Sequence, residues 1–183
     1  MFPAKNEGVS QMQYARNWRV LHWVIALCVM SLIPIGLLIE ARTEANIWDD
    51  FTNLLYSIHK SLGFTVLILM IVRIGFKLTY KTPEYPEAMS PRKIRLAKSL
   101  HHLLYLLLVA VPLLGWAGVT AFPALDIIPG VRLPAMPGIP SDEALAARIF
   151  SIHGTLAITL AILVLGHVGA GLHHLFIKKD NIF

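Results

Sequence analysis

The residues most able to do chemistry in this apolar chain are its eight histidines, and the four that matter most by their depth in the long hydrophobic stretches are His22, His59, His153 and His167. An imidazole placed in hydrocarbon needs partners for its ring nitrogens, so an ionisable group inside a membrane span marks a functional site by default. His153 and His167 are fourteen residues apart. On a helix that spacing returns to within ~40° of one face and separates the rings by ~21 Å, one near each surface of an apolar layer ~30 Å thick. Depth then pairs His59 with His153 near one surface and His22 with His167 near the other. Two neutral imidazoles on facing helices are suited to the opposite faces of one haem iron, and two such pairs predict two haems b stacked across a membrane. The competing roles are interhelical hydrogen bonds and placement at the interface. Zinc is disfavoured because no cysteine or carboxylate joins either pair within the spans, and no C-x-x-C-H run offers covalent haem attachment.

The elements that must carry these residues follow from composition. The chain has 183 residues, 56% hydrophobic and 15% charged, with a mean hydropathy of +0.63, which excludes an ordinary water-soluble or disordered domain. Four stretches are long and apolar enough to span, predicting helices over about 18–39, 54–77, 99–121 and 149–177. The expected fold is a single all-α domain, a transmembrane four-helix bundle. Twelve of the sixteen basic residues lie before the first helix, around the second connection or after the fourth helix. This predicts cytoplasmic N- and C-termini, and it explains the net charge of +5 by topology rather than by nucleic-acid binding. The lone Cys28 makes no disulfide framework.

Along the chain, Trp18 and Trp23 are expected to anchor the first helix at the cytoplasmic interface, with Pro34 and Gly36 bending its outer half. Gly63, one turn after His59 on the same face, would open space for a flat cofactor. Pro83, Pro86 and Pro91 predict an ordered cytoplasmic loop. Pro112, Gly115 and Gly118 loosen the outer half of the third helix. The proline-rich outer segment 122–148 is expected to be irregular, with a short separate helix over 142–148 capping the outer end. The secondary histidines complicate the inner site: His101 enters near the depth of His22, His174 follows His167 by seven residues, and either is able to replace a ligand there. Otherwise His101, His102, His173 and His174 are expected in propionate contacts, proton exchange or solvation. Arg16, Arg19, Arg73 and Lys179 are candidate neighbours of haem propionates or of a quinone.

These residues resemble the prokaryotic cytochrome b561 family over about 12–183. The resemblance rests on Tyr14-Ala15-Arg16 ahead of Leu21-His22-Trp23, on Ile58-His59 with Gly63 and Val72-Arg73, and on His101 four residues before Tyr105. It rests also on the His153 to His167 spacing and on Leu172-His173-His174 with Lys179-Asp180-Asn181. The resemblance implies a multi-pass protein of the bacterial inner membrane, with His22 and His167 on a cytoplasmic-side haem and His59 and His153 on a periplasmic-side haem. It further implies an electron-transfer oxidoreductase working with the quinone pool, which takes electrons from superoxide or a protein donor and passes them to ubiquinone. The first outer connection carries only Arg42 among acidic residues, so a cationic entrance for superoxide would draw on Lys60, Arg132 and Arg148. The alternatives are a cytochrome b membrane subunit of a hydrogenase or dehydrogenase and, in another class, a haem-free membrane transporter or scaffold.

Overall fold

The computed structural model describes residues 4–79, 90–128 and 130–178. Four long helices account for nearly all of them: α1 (Ala4–Glu44), α2 (Asp50–Thr79), α3 (Pro91–Ala121) and α4 (Glu143–His173), with a two-stranded antiparallel ribbon, β1 (Asp126–Ile128) and β2 (Val131–Arg132), between the last two. All four helices are long and apolar enough to cross a membrane. Large side chains such as Leu27, Ile71, Leu106, Ile162 and Leu165 stay more than half exposed, which suits a lipid solvent and not water. The chain divides into two compact units, residues 1–82 and 83–183. The first, hairpin A, pairs α1 with α2; the second, hairpin B, pairs α3 with α4. In each, the end bearing the connection is the turn end, and the other is the open end.

Helix α1 extends further than the apolar run alone predicts, because no proline interrupts residues 4–33 and the polar residues 40–44 continue the turn. It stops at Asn46, whose φ of 54° supplies the left-handed residue that ends many helices. The Ile47 amide then reaches back to the Arg42 carbonyl and the Asn46 amide to Thr43. Asp49 caps the next helix by accepting from the Thr52 amide at 2.8 Å, and Arg42 clamps the same carboxylate through Nη2 at 2.6 and 2.8 Å. Arg42 Nε also donates to Thr52 Oγ1, so one guanidinium ties the end of α1 to the start of α2.

In hairpin B, Pro91 occupies the first turn of α3, where its missing N–H costs no hydrogen bond. Asp142 caps α4 by accepting from the Leu145 amide, and no proline separates residue 143 from His153. The expected short helix over 142–148 is therefore the first two turns of α4 itself. The α3–α4 connection is more ordered than its prolines suggest: Gly130 at φ +79° turns the ribbon, Trp116 Nε1 donates to the Pro134 carbonyl, and Thr120 Oγ1 accepts from the Met136 amide. Leu125 and Leu133 within it are buried, and the Leu133 amide donates to the Leu125 carbonyl. Beyond His173 the helix widens into a π turn, His174–Lys178. The middle of the expected cytoplasmic loop and Lys179 lie outside the described residues.

Packing within hairpin B comes in two layers. Near the open end Leu104, Leu107 and Val111 meet Leu160; near the turn end Ala117, Ala121, Ala146 and Ile149 let the helices approach closely. Small residues do this work in lipid, where burial from water no longer drives helices together. Hydroxyls in the spans are satisfied on their own helices, as when Ser31 donates to the Leu27 carbonyl and Thr155 to Ser151.

The clamp at the turn of hairpin A has a pH signature. The Thr52 amide and the Arg42 guanidinium hold the Asp49 carboxyl down at about 2, below its ordinary 3.8. A depressed carboxylate contributes its stabilisation above the ordinary value and loses it as the pH falls toward the folded one. Hydrogen-exchange protection of the Thr52 amide, corrected for the intrinsic rate, is expected to fall on acidification through this window. Asp49→Asn is expected to lower it already at neutral pH.

Candidate haem-binding residues

The histidines are presented by helix pairs of regular register. In hairpin B, a Cβ at Gly115 would stand 3.2 Å from the ring of His153, and one at Gly118 would fall 2.5 Å from the ring of Phe150. At the open end the rings of His101 and His167 lie edge to face, 5.5 Å between centroids. The α3 numbers run 101, 115, 118 while their α4 partners run 167, 153, 150. One unbroken antiparallel register thus sets both histidine levels of α4, ~21 Å apart.

His153 is also fixed in its tautomer. Its Nδ1–H donates to the Val111 carbonyl across the helix pair at 2.9 Å, leaving the lone pair on Nε2. A metal-ligating histidine has the same tautomer, one nitrogen oriented by a carbonyl and the other carrying the lone pair. Pro112 follows Val111 directly inside α3, and a carbonyl with two lone pairs is able to take this bond alongside a helical one.

Hairpin A repeats the turn-end arrangement. A Cβ at Gly36 of α1 would stand 3.2 Å from Cε1 of His59 on α2. Gly63, expected to open space for a flat cofactor beside His59, does face open space, since a Cβ there would meet nothing within 4 Å; the glycine that the His59 ring touches is Gly36. Gly36 was readable only as a bend, and Gly115 only as a place of close packing or a kink, without the partner it meets. Their contact with histidine depends on which residues face each other across two helices, and neither helix encodes that alone.

At the open end of hairpin A, His22 is half-buried with its ring 5.5 Å from that of Trp23. Arg73 is 8% exposed, deep for a cation in an apolar helix. Its guanidinium lies 4.3 Å from the Trp18 ring and donates to the Trp18 carbonyl at 3.4 Å. Trp18 is therefore a partner of Arg73 as well as an interface residue, whereas Trp23 is 66% exposed, as an anchor should be. Arg16, His101 and His173 are exposed and His174 is half-buried; the last two rings are 5.9 Å apart at the start of the π turn.

Four apolar helices that each carry an imidazole, one of them with its tautomer fixed by a backbone carbonyl, define a polytopic membrane protein with histidines in its spans. The model of the family described as prokaryotic cytochrome b561 matches residues 13–183. The chain is 32% identical over 162 residues to a Yersinia pestis protein named "Probable superoxide oxidase CybB", covering 88% of each chain. It is 27% identical over 179 residues to "Cytochrome b561 homolog 1" of Escherichia coli strain K12, covering 92% of this chain and 93% of that one. It is 28% identical over 175 residues to "Cytochrome b562" of Cereibacter sphaeroides, covering 92% and 91%. The chain belongs to the prokaryotic cytochrome b561 family. Membership makes it a multi-pass membrane cytochrome and implies haem b.

The close approach of α3 to α4 at Gly118 gives a direct test of the register. Gly118→Ala would force the Phe150 ring aside and is expected to destabilise the protein by about 1–3 kcal/mol, the usual cost of overpacking. Thermal unfolding in detergent reads this as a lowered midpoint; an unchanged midpoint would refute the contact.

Proposed function

We propose that the chain is a dihaem cytochrome of the bacterial inner membrane that takes electrons from superoxide and delivers them to ubiquinone. In this reading His22 and His167 ligate a haem b on the cytoplasmic side, and His59 and His153 ligate a second on the periplasmic side. Both termini lie in the cytoplasm, as the distribution of basic residues favours.

The observation that carries the ligand reading is the matched presentation of His59 and His153, each against a glycine of its partner helix, with His153 holding its proton on Nδ1. The fourteen-residue spacing of His153 and His167, with the fourteen from His22 to Gly36, is consistent with two levels a haem-to-haem step apart. Haem b supplies one-electron transfer, its potential set by axial ligands, hydrogen bonds and burial. The chain's own residues orient the ligand rings, exclude water and offset charge. Arg73, buried at the level of His22, is suited to a propionate or a quinone oxygen, and His101 beside His167 is suited to exchanging protons there. Arg16 and Lys179 are further propionate or quinone neighbours in this reading.

Superoxide as donor is supported by the name of the Yersinia relative. The overall exchange balances as two superoxide anions, one ubiquinone and two protons giving two dioxygen molecules and one ubiquinol. On the turn side of hairpin A, Arg42 is committed to Asp49, so attraction of the anion falls to other cations.

His59→Ala is expected to remove the outer haem and His22→Ala the inner one, each leaving the other spectrally intact. His101→Ala is expected to keep both. Purified protein should be reduced by a superoxide generator and reoxidised on adding ubiquinone, as read from its haem absorption. Haems inert to superoxide but reducible by quinol would instead favour a cytochrome subunit serving a separate hydrogenase or dehydrogenase.

A further inference from the structure

The two hairpins share a construction that was not visible as a sequence repeat. Gly36 lies fourteen residues after His22 on α1, and Gly115 lies fourteen after His101 on α3. Arg73 lies fourteen after His59 on α2, and His167 fourteen after His153 on α4. Each hairpin thus sets a glycine against a histidine at its turn end, while the open ends differ, with His22 and Arg73 in one and His101 and His167 in the other. The likeness reaches the atoms. A Cβ at Gly36 would stand 3.2 Å from Cε1 and 3.8 Å from Nδ1 of His59; at Gly115 the distances to His153 are 3.2 and 3.4 Å. The same ring edge faces the glycine in both hairpins.

We infer that Gly36 and Gly115 are a matched pair of positioning residues that fix the ring planes of His59 and His153, and so tune the one haem those histidines share. The inference rests on the dihaem reading above. Cε1 is bonded to Nε2, so a methyl pressed against it tilts the plane in which the Nε2 lone pair lies. At His153 the same helix also restrains the ring in the opposite sense, because turning it away from α3 stretches the Nδ1 bond to Val111. Glycine is the one residue that lets the helix backbone serve as a flat stop for the ring. A helix interior otherwise favours alanine, so a glycine without this role would be improved by the change.

The test is electron paramagnetic resonance and redox titration of purified holoprotein carrying Gly36→Ala or Gly115→Ala. Gly75→Ala serves as control, since Gly75 is exposed and a Cβ there would meet nothing within 4 Å. Both test variants are expected to shift the g values and midpoint potential of the same haem, leaving the other haem and the control at wild-type values. Loss of that one signal alone, with the melting temperature retained, is the same effect at greater amplitude. Wild-type values for both haems in both variants, or loss of both signals together, would overturn the positioning role. Shifts in two different haems would instead overturn the assignment of His59 and His153 to one haem, while leaving each glycine's action on its own histidine intact.

Discussion

The antiparallel register within each helix pair is the constraint on which the rest depends. In hairpin B it is set by close contacts that tolerate little slippage: Phe150 fills the place of a side chain at Gly118, and His153 lies against Gly115. Sliding α3 along α4 by one turn would drive side chains into these rings and part Nδ1 of His153 from the Val111 carbonyl. In hairpin A the same purpose is served by Gly36 at the His59 level and by Arg42, which bonds Asp49 and Thr52 across the turn. Once the register is fixed, the fourteen-residue spacing along each helix converts it into two functional levels.

Hydrocarbon makes this precision affordable as well as necessary. Lipid cannot hydrogen-bond, so each polar group in a span must find its partner within the protein. Serine and threonine hydroxyls turn back to their own helices, His153 reaches a neighbouring carbonyl, and Arg73 lies over an indole. The last is notable because a cation beside an aromatic face keeps its charge while shedding water.

Much of this was legible in the sequence, since length and apolarity identify spans without knowledge of their neighbours. The four helices and the membrane class were readable in that way, and the family from the order and spacing of the histidine motifs. Helix ends were less so. The polar first turns of α4 look like a separate helix until Asp142 is seen capping one continuous rod, and the proline-rich α3–α4 connection hides a ribbon followed by Pro134 and Met136, which bond to Trp116 and Thr120. The glycines were read least well. Gly63 shares a face with His59 on one helix, a fact visible in the sequence, but Gly36 meets it across two helices, and interhelical register is a property of packed surfaces.

The most direct test of the account is the haem-to-protein ratio of the detergent-purified wild-type chain, taken with its low-temperature electron paramagnetic resonance spectrum. Two haems b per chain, giving two distinct low-spin signals of bis-histidine type, are the predicted result. One haem per chain, or a high-spin signal from an iron lacking its second imidazole, would contradict it.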